Sequence, residues 1–135
     1  MVACLGLKLY LSSKIKGNVL LDGKPVEGAT LKRTVGFQKK IIDETISNSM
    51  GEFSFPEVIK FSLWGWLPHN PSVTQFILIW YKDIEYQAWG YQKGNYDDDG
   101  ELFGRKMNLR CDLANENMLH KVSDFKSYKG ICELV

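Results

Sequence analysis

The sequence predicts an all-β protein, a single antiparallel sandwich of seven or eight strands. Several short runs alternate apolar with polar residues, the period of a half-buried strand. Turn-forming pairs such as Asp22-Gly23, Asn48-Ser49-Met50-Gly51 and Lys82-Asp83 separate these runs. The chain has 135 residues, the size of one domain, enough to bury roughly two-thirds of the unfolded surface without help from a metal or disulfide.

Taken in order, Leu7, Leu9 and Leu11 alternate and make residues 1–13 a first edge strand. Val2-Ala3-Cys4 has the small-residue-then-Cys pattern of a lipoprotein processing site, but it lacks the charged segment and long apolar run that should precede one. Ile15, Val19 and Leu21 share a face with Gly17, opposite Lys14, Lys16 and Asn18. After the Asp22-Gly23 turn, Ala29, Leu31 and Arg33 alternate with Thr30, Lys32 and Thr34, a strand expected to become polar as it leaves the core. Gly36 to Lys40 reads as a short basic connection, and Ile41 to Ser47 as a further extended segment. Lys32, Arg33, Lys39 and Lys40 form a local positive patch, read as a solvated edge whose lysines discourage strand addition; contact with an acidic partner is the alternative. Phe53 and Phe55 point one way and anchor the core.

Residues 61–71 (FSLWGWLPHNP) carry two prolines and a glycine among large apolar side chains, so this is a loop. Trp64, Trp66, Leu67 and His69 then either cap the core or anchor a partner protein, since Trp is frequent among binding hot spots. Val73 to Tyr81 is apolar on both alternating sets from Phe76 onward, which predicts a central strand covered on both faces. Lys82-Asp83 turns it into Ile84 to Trp89 as a hairpin. Strict parity puts Trp89 and Tyr91 with Glu85 and Gln87 on a polar face, as exposed rings.

Asn95, Asp97, Asp99 and Gly100 reproduce the opening of a calcium loop, but Lys106 stands where the bidentate Glu belongs. The plainer reading is an acidic hairpin loop in which Asp97, Asp98, Asp99 and Glu101 offer an electrostatic contact surface. Lys106 to Leu113 is the cleanest amphipathic strand, with Met107, Leu109, Cys111 and Leu113 inward. From Ala114 the period is lost, which predicts a loosely held tail over 114–135 with a loop or short helical turn. Residues 131–134 are either a last short strand or pinned to the body. Cys111 and Cys132 are the natural disulfide pair among three cysteines, and two reduced buried thiols are the competing state.

Composition excludes several functions. A formal charge of +1 provides no global field for nucleic acid or an anionic membrane, and no run of 18 apolar residues offers a transmembrane helix. With only His69 and His120, and no HExxH, GxSxG, phosphate loop or CxxC motif, no enzyme activity, metal or cofactor is expected. Four Trp in so small a chain imply aromatic surface left over for recognition.

Two resemblances sharpen this. Gly17, Val19, Gly23, Pro25, Val26, Gly28 and Ala29, followed by Thr45, Ser47 (displaced by one), Gly51 and Phe53, resemble the carboxypeptidase regulatory-like domains. That resemblance implies a transthyretin-like sandwich, related in build to immunoglobulin-like ones, with Asn48 where the family usually has Asp. Enzymes of transthyretin-like fold carry a C-terminal Tyr-Arg-Gly-Ser motif, and this chain has Tyr128-Lys129-Gly130-Ile131 instead. The succession GEFSFPEV, LPHNP, YQAWGY and NLRCDL also looks like a group of small uncharacterised bacterial proteins. It implies a protein-binding role, as an immunity-type protein that neutralises a secreted toxin or effector, type VI secretion being one such context. The alternatives are a carbohydrate-binding module using Trp64, Trp66, Trp89 and Tyr91, or a structural spacer. A bridge between Cys111 and Cys132 would place the protein in the periplasm; without it the expectation is cytoplasmic.

Overall fold

The computed structural model describes residues 7–63 and 68–135. These residues form thirteen strands and a 3-10 turn over Gly100–Leu102, so the protein is an all-β sandwich with more and shorter strands than the pattern suggests. Strand β1 (Leu7–Ser12) pairs antiparallel with β7 (Val58–Ser62) as a two-stranded ribbon. A second sheet holds β13 (Cys132–Leu134), β10 (Met107–Asp112), β2 (Ile15–Leu21) and β3 (Lys24–Pro25), with β6 (Glu52–Phe55) also on β2. The third has the order β11 (Met118–Lys121), β12 (Ser127–Gly130), β9 (Ile84–Lys93), β8 (Val73–Tyr81), β4 (Thr30–Phe37) and β5 (Lys39–Ile46). One pairing departs from an antiparallel sandwich, for β2 and β10 run parallel from Met107 opposite Ile15 to Asp112 opposite Leu20.

The inner face of the six-stranded sheet is covered twice. The second sheet lies over Leu31, Ile77, Ile79 and Trp89, which join Ile15, Val19, Phe55 and Leu109 in the larger core. Leu9 and Leu11 of the ribbon lie over Val35, Phe37 and Val73 in a smaller one. Arg33 follows Leu31 and precedes Val35 along the inward set of β4, and it is fully buried. The strand therefore does not turn polar because it leaves the core; Arg33 is held there by Asp43, through Nε at 2.9 Å and Nη2 at 2.6 Å, and donates to Ser12 Oγ at 3.2 Å. The basic patch loses Arg33 accordingly. Gly36 to Lys40 is no connection either, since β4 and β5 run through it on either side of Gln38, at φ 57°.

Local chemistry explains the motif at the front of the chain. A Cβ on Gly17 would lie 2.4 Å from Leu109 O and under 3 Å from the Phe53 ring, so only glycine lets β10 and Phe53 approach β2. Gly51 has φ 76° and a missing Cβ directed at Val19 O, so the turn before β6 needs glycine twice over. Asn48 Oδ1 accepts from the amides of Met50 and Glu52, each at 2.9 Å, the side-chain turn expected of it. Ser47 Oγ accepts from Ala29 N at 3.0 Å and donates to Val26 O at 2.7 Å, tying the β5 end to the loop after β3.

Two expectations are corrected by packing. The 114–135 tail is not loosely held: β11 and β12 extend the large sheet, β13 pairs with β10, and Tyr128, Ile131 and Cys132 are buried. Strand β8 is central but not covered on both faces. Thr74, Phe76, Leu78 and Trp80 point to the outer surface, where Phe76 remains 41% exposed, because both covering layers lie on the opposite side.

Candidate functional site

The acidic loop after β9 is built on a bulge. Pairing shifts between Ile77 and Leu78, which face Trp89 and Gln87, so Ala88 is an extra residue in β9. Up to that point Tyr86 and Ala88 point inward; beyond it Trp89, Tyr91 and Lys93 do. Strict alternation fails here, and the expected exposed rings are core. Trp89 is fully buried, stacks on Tyr128 with centroids 4.3 Å apart, and donates from Nε1 to Gln75 Oε1 at 3.1 Å. The buried Tyr91 hydroxyl donates to Glu101 O at 3.0 Å, and burial, with the Glu101 charge beside it, pushes its pKa up.

Beneath the loop lies a polar seam between the two apolar clusters. Glu101 is fully buried, so it is no surface contact. Its carboxylate accepts from Ser13 N and Gln75 Nε2, each at 2.8 Å, and from Ser13 Oγ, with Lys93 Nζ 3.8 Å away. Lys93 Nζ in turn donates to Tyr10 O and to Asp97 O, at 2.5 and 2.6 Å. Burial pushes the lysine pKa down, while Glu101 and the three aspartates pull it back. No buried side-chain nitrogen or oxygen among the described residues lacks a partner, which is the condition for a buried ion pair to persist.

This seam fixes the loop above it. Asp97 is tied through its carbonyl to Lys93 and to Gly100 N, and through its amide to Asn95 Oδ1 at 3.1 Å. Asp99 N donates to Ser13 Oγ at 2.8 Å, and the half-buried Asp99 carboxylate takes Lys106 Nζ at 2.8 Å. The lysine at the place of a calcium-loop glutamate thus occupies an oxygen a cation would need. Among the described residues no cluster of three or more His, Cys, Asp or Glu could hold a metal ion. Only Asp97 and Asp98, of the four predicted acids, present exposed carboxylates.

The second predicted stretch meets this loop. His69 Nε2 lies 2.6 Å from Tyr96 OH, and Tyr96 packs edge-on against Phe37 with centroids 5.7 Å apart. Phe37, Gln38, His69, Asn70, Ser72 and Tyr96 line a pocket of about 270 Å³ there. Trp64, Trp66 and Leu67 lie outside the described residues. The other histidine is engaged elsewhere: His120 stacks on Tyr128 and its Nε2 is 2.8 Å from Gly130 O.

Lys93, Gln75, Ser13 and Tyr96 are the functional supports that reading the sequence misses. A lysine at the end of a strand resembles any solvated one; the only signal is its parity with Trp89 and Tyr91. Cys111 and Cys132 face each other across β10 and β13 with sulfurs 2.04 Å apart, a disulfide bond. No helix among the described residues is long and apolar enough to cross a membrane.

The molecule is thus a β-sandwich that carries the exposed Asp97 and Asp98 on a loop fixed by a buried polar support. The chain belongs to the family described as Domain of unknown function (DUF6795), which matches residues 15–116, well over half of it. No curated protein and no solved structure matches it.

Proposed function

We propose that this protein works by binding another protein, as an immunity-type inhibitor of a secreted toxin or effector, on a transthyretin-like sandwich of the carboxypeptidase regulatory-like kind. The observation that carries the reading is the contact between His69 and Tyr96. It brings His69, beyond the end of β7 at Ser62, and the Asp97-Asp98 tip to one end of the sandwich. A rim whose backbone is tied down before binding loses little conformational freedom on association, and two free carboxylates favour a basic partner surface and speed its approach. The sugar-platform alternative has lost Trp89 and Tyr91 to the core. The close approach of Gly17 to β10 and the Gly51 turn supply physical reasons for motif residues shared with the regulatory-like domains, and Asn48 makes its side-chain turn where those domains usually have Asp. The Cys111–Cys132 bridge supports an oxidising compartment, the periplasm for a bacterial protein.

Co-expression with a toxic effector encoded beside it is the test. Wild type is expected to protect cells and to co-elute with the effector. Asp97→Lys combined with Asp98→Lys should weaken binding about tenfold or more and abolish protection, with an unchanged melting midpoint. Equal protection by both proteins would refute this rim as the binding surface.

A further inference from the structure

Strand β5 ends the six-stranded sheet, and among the described residues nothing pairs with its outer edge. It is eight residues long, Lys39 to Ile46, an unusual length for an edge left open. Its even-numbered residues face outward with those of β4 and β8: Lys40, Ile42, Glu44 and Ile46 are all exposed, Ile42 by 52% and Ile46 by 64%. Asp43, on the inward set, is taken by Arg33. Lys40 and Glu44 have no ion-pair or hydrogen-bond partner among the described residues, though Glu44 stands opposite Lys32 on its inner side.

From this pattern we infer that a second copy of the chain occupies the β5 edge, pairing antiparallel about a two-fold axis at Ile42. A closed two-fold through a strand edge runs normal to the sheet, so outward residues must meet outward residues. Centred on Ile42, that symmetry sets Lys40 against Glu44 of the second copy, twice, with the two Ile42 side chains between them. Shifting the centre by one residue in either direction loses the match. At Ile41, Lys40 faces Ile42 of the second copy; at Asp43, Glu44 faces Ile42 and the two Asp43 carboxylates stand opposite each other. A parallel arrangement in register stacks Lys40 on Lys40 and Glu44 on Glu44. Opposite charges directly across an antiparallel pair stabilise it, and like charges oppose it. The lysines that would blunt the edge toward other strands therefore select its own sequence run in reverse. The dimer joins two six-stranded sheets into one of twelve strands, continuing the outer row Phe76, Thr34, Ile42 into its symmetry mate.

This inference is independent of the acidic rim, and its test leaves that rim untouched. Sedimentation of the full chain over a concentration series should show a monomer–dimer equilibrium. Lys40→Glu and Glu44→Lys should each weaken self-association about tenfold or more, while circular dichroism and melting midpoint stay as in wild type. Mixing the two single variants should restore a heterodimer, since each carries the charge the other needs, and the double exchange should restore the homodimer. In a Cys4→Ser background, Ile42→Cys should cross-link to itself on mild oxidation and Ile46→Cys should not. A wild type that stays monomeric throughout overturns the proposal. So does a mixture that fails to reassociate, or a cross-link at residue 46 in place of residue 42.

Discussion

Lys93 and Glu101 have both left water entirely, and moving two charges into a protein costs several kcal/mol per ion unless hydrogen bonds replace the lost hydration. Three donors on the carboxylate and two carbonyls on the ammonium do so here. Tyr128 answers the same problem by staying neutral. Burial pushes its pKa from 10.0 up to about 12, so the folded state retains a proton that the unfolded chain releases first. The associated stability is fully present below pH 10 and is lost as pH rises toward about 12, a difference of roughly 3 kcal/mol. In Tyr128→Phe, urea titrations should show a weaker alkaline loss between pH 10 and 12. At neutral pH the variant should be about 1–2 kcal/mol less stable, because Cys132 O loses its 2.9 Å donor.

At the scale of the element, β9 decides the site. Lys82 and Asp83, with φ 49° and 63°, make the primed turn that starts the hairpin in register, and the extra Ala88 then moves the inward set by one residue. Deleting Ala88 should leave Gln87 and Trp89 opposite Leu78 and Ile77 as now, without the bulge. The Trp89 indole N–H is then expected to remain slow to exchange, with stability lowered by about 1–3 kcal/mol for the lost buried methyl and the seat of Gly130 on Ala88 O. Rapid exchange in a folded deletion variant would show that Trp89 has left its place opposite Ile77, which would overturn this register. Alternation was enough to place β1, β10 and β2 as far as Val19, beyond which Leu21 is 39% exposed; on β8, apolar on both sets, it did not say which face is covered. It failed at β9 because one inserted residue is invisible to a pattern that only counts parity, and Trp89, Tyr91 and Lys93 all lie beyond the insertion.

For the whole molecule, the C-terminal strands close both sheets. Cys132 ties β13 to β10, and β10 is the strand that runs parallel to β2. Cross-linking residues 21 apart stabilises a chain by about 3 kcal/mol, chiefly through the unfolded state. Reductant should therefore lower the melting midpoint of wild type, and should leave Cys111→Ser combined with Cys132→Ser unmoved at that lower value. The tail was hard to read for a related reason: β11, β12 and β13 have four residues or fewer, too short for a period to emerge. They are strands because β12 and β13 find the edges of β9 and β10, and β11 that of β12.

The order of residues along the chain was sufficient to determine an all-β body and its turns at Asp22-Gly23, Asn48 and Lys82-Asp83. These depend on a residue's own conformational preferences or on its near neighbours. Tertiary structure alone decided that Glu101 and Lys93 meet in a buried seam, that Arg33 turns inward to Asp43, that Trp89 and Tyr91 are core, and that His69 reaches Tyr96. Each of those is a question of which distant group lies opposite, and a single bulge or a covering layer on one face changes the answer without changing any local preference.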